Sequence, residues 1–141
     1  MKKRIAGIDF GTARIGLAVS DERKFLARAL APISAKPLPG AAQKILDALK
    51  KEGEIEAIVM GLPLHFNGKE SPMCTQVRAF AEELKQLSSL PIIFWDERLT
   101  TAEVERTLKE AALSRKKRAP LVDGLAACAI LQNYLDSISQ K

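Results

Sequence analysis

Histidine occurs once in this 141-residue chain, at His65, and cysteine twice, at Cys74 and Cys128. One imidazole and two thiols without metal-type spacing do not make a zinc site. His65 has no evident nucleophile beside it and reads as a loop histidine. Both cysteines sit in apolar helical contexts, so they read as buried free thiols, which fits a cytoplasmic protein better than a secreted one. Long apolar runs are also missing. The longest, Leu125 to Leu131, is far too short to cross a bilayer. The basic start Met1-Lys2-Lys3-Arg4 leads straight to Asp9, which interrupts any export-signal core. Repeats and low-complexity linkers are absent, so residues 1–141 are expected to form a single domain without the second lobe of a kinase.

What is present is ordinary in bulk: 47% hydrophobic and 28% charged residues, the profile of a globular protein rather than a collagen, a disordered tail or a membrane protein. A domain of this length buries roughly 70% of its unfolded surface, enough for a core without staples. The net charge of +5 is unevenly spread. Residues 1–36 carry a balance of +5, residues 37–97 a balance of −3, and residues 98–141 a balance of +3. The sharpest cluster, Arg115-Lys116-Lys117-Arg118, suits a phosphate backbone and equally suits a solvated basic loop.

The first third reads as strands: Arg4 to Phe10, Ile15 to Ser20 after the turn at 11–14, and Phe25 to Ile33. Short connections make these an antiparallel meander. Beyond Gly40, helix and strand alternate. Ala42, Ile45, Leu46 and Leu49 recur at helical spacing, and Ile55 to Met60 follows as a strand. The loop 61–70 carries an Asn67-Gly68 turn, and its stretch from Leu64 to Lys69 reads as a flap or a plain surface loop. Ser71 as N-cap and Pro72 at the first position open a helix with Val77, Phe80, Ala81, Leu84 and Leu87 as its buried stripe. Residues 91–95 form another strand. Thr100 and Glu103 have capping-box spacing for a helix to about Ala112, and Pro120 opens a last helix to about Ile138. The expected fold is α/β, with a mixed five-stranded sheet, meander then parallel strands, and helices on both faces.

Three acidic positions stand out. Asp9 ends the first strand, with Gly7 and Gly11 on its own face and Gly16, Ala18 and Ser20 on the next strand. Glycine weakens a strand and usually marks a close approach, so this small face is expected to leave room for a metal ion with bound phosphate. A hydrogen-bonded turn aspartate is the bland alternative. Asp96-Glu97 follows an apolar strand, where ligands of open α/β sheets bind, although solvated acids before a helix look the same. Asp123 shares a helix face with Ala126, Ala127 and Ile130; dipole stabilisation explains an acid there but not its place on an apolar face. Carboxylates from three distant stretches suggest a site for Mg²⁺ or Mn²⁺. Hard cations take oxygen ligands, and two of them hydrolyse phosphodiesters without histidine.

Gly7-Ile8-Asp9-Phe10-Gly11 with residues 14–21 resembles the opening of the YqgF/RuvX family of ribonuclease H-like proteins. Three further blocks agree in order and spacing: Gly61-Leu62-Pro63-Leu64 with Asn67-Gly68, then Asp96 to Thr101, then Asp123 to Ala127 with residues 130–135. Together they cover nearly the whole chain. The resemblance implies a ribonuclease H-like fold and a divalent-metal-dependent nuclease acting on the 5′ end of precursor 16S rRNA. A cytoplasmic role in ribosome biogenesis goes with it, on nucleic acid and ribosomal particles, with no membrane. The family was earlier grouped with Holliday-junction resolvases, so branched DNA is the alternative substrate. Carried over by position, Asp9, Glu97 and Asp123 are the catalytic and metal-binding set. Asp96 is the lesser candidate for that set, since strand neighbours point to opposite faces, and whether it joins the metal site stays open. Arg14 belongs to a phosphate-binding turn, although Ala13 stands where a lysine is usual.

Chemistry adds substrate contacts. Arg98 can fork onto a phosphate, Thr100 and Thr101 offer hydroxyls and amides at a helix start, and Lys116, Lys117 and Arg118 suit a nucleic-acid backbone. Two other readings compete. The Gly7 to Thr12 segment also resembles the phosphate loop of actin-like ATPases and sugar kinases, which leaves Glu97 and Asp123 unexplained. A non-catalytic binding module would have no need of three carboxylates. RNA and DNA are not separated by these residues, nor is monomer from homodimer; a junction resolvase needs two sites on a symmetric dimer.

Overall fold

The computed structural model describes residues 3–99 and 124–139. Three strands open the chain: β1 (Arg4–Asp9), β2 (Arg14–Ser20) and β3 (Ala27–Ser34). Helix α1 (Ala41–Lys50), strand β4 (Ile55–Leu62), helix α2 (Pro72–Leu87) and strand β5 (Ile92–Asp96) follow. A single 3₁₀ turn covers Glu97–Leu99, and helix α3 (Leu125–Ser139) completes the described chain. The expected Thr100-capped helix, the basic run and the start of the last helix lie outside the described residues.

The sheet is mixed and five-stranded, ordered β3-β2-β1-β4-β5. β1 pairs antiparallel with β2, and β2 antiparallel with β3, the meander expected from the short turns. β1 also pairs parallel with β4, and β4 parallel with β5. The three parallel strands therefore end at one edge, which gathers Asp9, Leu62 and Asp96.

Alternation along the central strands builds two cores. Ala6, Ile8, Leu17, Ile58 and Met60 face α1 and α2, packing on Ile45, Leu49, Val77, Phe80 and Leu84. Each fully buried Ile, Leu, Val, Met or Phe side chain among these contributes about 1.5–3 kcal/mol. On the opposite face Ile5, Ala18 and Val59 meet Ala127, Ile130, Leu131 and Leu135 of α3. Cys74 and Cys128 are buried free thiols, one in each core, as expected. Among the described residues no helix is long and apolar enough to cross a membrane.

Three local expectations change. β3 begins at Ala27 rather than Phe25, because Asp21 takes those residues into a turn. Its carboxylate accepts the Phe25 and Leu26 backbone N–H groups at 2.8 and 2.9 Å. β4 runs on to Leu62 because β5 pairs with it as far as Leu62 opposite Asp96. Leu87 is 52% exposed, and Cys74 takes its place in the buried stripe of α2. The last turn of α2 overhangs a groove of about 820 Å³ lined by Leu46, Leu49, Ile55 and Leu90.

Candidate active site

Asp9 is the last residue of β1 and Glu97 follows the last residue of β5. With β4 between them, their strands stand about 10 Å apart, two strand spacings. Two features close that gap. The 3₁₀ turn that begins at Glu97 brings its side chain back over the sheet, and the strand it crosses carries Gly61 at that point. A Cβ on Gly61 would stand 2.9 Å from Glu97 Cγ and 3.0 Å from Cδ, and 2.5 Å from Ile130 Cδ1. The missing side chain is the space Glu97 occupies. The two carboxyl groups then hydrogen-bond to each other.

Their acidities record the meeting. Burial raises the Asp9 carboxyl above its ordinary value, and the Glu97 hydrogen bond partly offsets this. Glu97 is pushed up to about 7, first by burial, then by the Asp9 charge and by its hydrogen bond to Asp9, with a smaller push from Asp96. Both carboxyls are thus harder to ionise than free ones, because each is partly buried and faces the other. Two half-buried acids this close could hold a cation between them.

Asp96 turns away, as strand alternation predicts. Its carboxylate accepts the Arg98 backbone N–H at 2.9 Å and the Arg98 guanidinium at 2.7 Å through Nη2. These bonds hold Asp96 below the usual carboxylate range. Arg98 Nη1 also donates to the Phe66 carbonyl at 2.9 Å. Arg98, expected to fork onto a phosphate, thus forks onto Asp96 and clasps the 64–70 loop. That loop is braced rather than loose: Leu64 bridges to Glu70, and Gly68, with φ of 85°, donates to the His65 carbonyl at 2.9 Å.

The small face beside Asp9 also has a different tenant from the one expected. A Cβ on Gly7 would lie 2.8 Å from Leu131 Cβ and 3.1 Å from the Ala127 carbonyl oxygen. Helix α3, not a ligand, fills the room above Gly7. Ala126, expected on the packed face, is exposed, while Ala127 and Ile130 are buried. Arg14 opens β2 at the end of the turn after Asp9. Asp123, Thr100, Thr101, Lys116, Lys117 and Arg118 lie outside the described residues, among which no group of three metal-type ligands occurs.

Asp9 and Glu97 nevertheless suit a divalent cation. They are oxygen donors, partly desolvated, turned toward one another and in need of a counter-charge. Gly61 is the functional residue whose role sequence reasoning missed. Its signal was the rule applied to Gly7, a glycine inside a strand.

Comparison with known proteins fits this geometry. The family model described as "RuvX: Holliday junction resolvase" matches residues 3–137. A protein of Protochlamydia amoebophila named "Putative pre-16S rRNA nuclease" is 47% identical over 140 residues, covering 95% of this chain and 93% of its own. One of Paramagnetospirillum magneticum with the same name is 43% identical over 137 residues, covering 97% and 88%. In fold, the RuvC of T. thermophilus, solved in complex with a Holliday junction substrate, matches with a TM-score of 0.58 at 16% identity over 96% of each chain. The five-stranded sheet is thus a RuvC-like ribonuclease H fold, and the chain belongs to the RuvX family that its motifs resemble.

Proposed function

We propose that this chain is a divalent-metal-dependent nuclease that hydrolyses a phosphodiester of precursor 16S rRNA during ribosome biogenesis in the cytoplasm. The observation that carries the proposal is the meeting of Asp9 and Glu97 across Gly61. Asp9 and Glu97 would hold the metal, Mg²⁺ or Mn²⁺, with Asp123 as the third ligand by its place in the sequence. Bound in a pair, such ions activate a water and stabilise the leaving oxygen of a phosphodiester. Glu97 must give up its proton for the pair to bind a cation, so binding is linked to pH.

The remaining residues hold the substrate. Arg14 flanks the Asp9 turn, and Thr100 and Thr101 offer hydroxyls and amides just beyond Glu97. Lys116, Lys117 and Arg118 supply phosphate contacts whose strength falls with salt. Precursor rRNA is ranked first because relatives above 40% identity bear that name. A branched DNA junction is the second reading, favoured by the family description.

The test is a cleavage assay on a precursor-rRNA leader and a four-way DNA junction, with Mg²⁺ or Mn²⁺, comparing the chain with Asp9→Asn. Metal-dependent cutting of the leader that Asp9→Asn abolishes is the expected result. Equal behaviour of the two proteins on every substrate, or activity that survives chelation, overturns the proposal.

A further inference from the structure

Phe66 is 100% exposed, the most exposed large apolar side chain among the described residues. Phe25, Leu26, Leu38 and Leu87, the other exposed ones, lie in other loops or at the end of α2. The loop that carries Phe66 is restrained on every side except the ring. Its base is closed by the Leu64–Glu70 bridge, and Arg78 holds Glu70 through Nε at 2.9 Å while lying 4.9 Å over the Phe94 ring. At its tip Asn67 Oδ1 accepts the Lys69 N–H at 3.0 Å. Arg98 grips the Phe66 carbonyl itself, one residue from Glu97.

We infer that Phe66 is a base-stacking residue, which receives an unpaired nucleobase of the substrate strand beside the Asp9–Glu97 site. The inference rests on the nuclease reading and adds to it a substrate class: a strand unpaired at the point of cleavage. A ring carried on a braced backbone gives up only its own side-chain freedom on binding, and every base has a face to offer it. Its neighbours favour a nucleotide over a protein. His65, Asn67 and Lys69 are exposed and polar, with Arg98 beneath, and the cationic side chains Lys69 and Arg98 beside the ring suit the phosphates that join one base to the next. Duplex bases are already stacked on one another and have no free face.

The test measures binding of a labelled single-stranded RNA and of its matched duplex by anisotropy. All arms carry Asp9→Asn, so that the strand stays intact. Phe66→Ala is expected to weaken single-strand binding roughly 5- to 150-fold, the range of one lost base–aromatic stack. Duplex binding and the melting temperature should not move. Phe66→Trp should restore affinity, with its emission quenched by the single strand relative to the Trp95 background.

Equal affinity of Phe66→Ala and its parent for the single strand overturns the inference. So does an equal loss on both nucleic acids, or a tryptophan that is not quenched. Loss of self-association with RNA binding intact assigns the ring to a protein contact instead, and also overturns it. If the unaltered chain cuts the leader while Phe66→Ala binds as its parent does, only this inference falls. If the unaltered chain neither binds nor cuts any nucleic acid, the nuclease reading falls with it.

Discussion

Replacing Glu97 by glutamine should make the metal-free protein more stable at pH 8 while abolishing its response to divalent cations. In the folded chain Glu97 holds its proton up to about 7, against an ordinary value of 4.5. That interval corresponds to at most roughly 3 kcal/mol, and solvent reaching the half-buried side chain reduces it to about 1–2 kcal/mol. The sign follows from a raised carboxyl pKa: stability is fully present below about 4.5 and is lost as pH rises through about 7. Glutamine mimics the protonated acid, so the variant and its parent should melt alike at pH 5. At pH 8 the variant should melt about 3–6 °C higher, at roughly 3 °C per kcal/mol for a chain of this size. Saturating Mg²⁺ should raise the parent's melting temperature more at pH 8 than at pH 5, because the cation must displace the shared proton. The variant should not respond. Thermal melts of the whole chain in chelator and in Mg²⁺ decide the matter. A variant less stable than its parent at pH 8, or a gap identical at both pH values, refutes a carboxyl pair.

Other substitutions test the parts that build the site. Gly61→Ala puts a methyl where Glu97 and the end of Ile130 now lie. Both are side chains that can yield, so a cost of about 1–3 kcal/mol in urea melts should accompany at least a tenfold loss of Mg²⁺ affinity by calorimetry. Gly7→Ala meets Leu131 Cβ and the Ala127 backbone instead. Because α3 must move as a body, it should destabilise the fold by at least as much, read in the same urea melts. Arg98→Ala releases Asp96 and the Phe66 carbonyl together. Proteolytic nicking within residues 64–70 should then accelerate without a large fall in melting temperature.

The element order was legible in the sequence because strand alternation, helical spacing and turn residues are local properties of the chain. β1 to β5, α1 and α2 fall within a few residues of expectation. Where they differ, a side chain decides the boundary, as Asp21 does by capturing Phe25 and Leu26. Asp9 and the Asp96-Glu97 pair could likewise be picked out as acids at strand ends. The occupants of the small positions could not. Gly7 reads as room for a ligand until α3 is seen pressed against it, and nothing in the sequence says which strand Glu97 must cross.

By itself the sequence determined one mixed α/β sheet, two buried thiols, and an acidic set with oxygen-only ligand chemistry. Only the tertiary structure decided that Glu97 reaches Asp9 over Gly61, that Arg98 serves Asp96 and a loop, and that Phe66 stands in solvent. The physical reason is that the partners lie far apart along the chain. Glu97 meets Asp9 because the sheet order places β4 between β1 and β5 and Gly61 leaves that crossing open. Arg98 meets the Phe66 carbonyl 32 residues away.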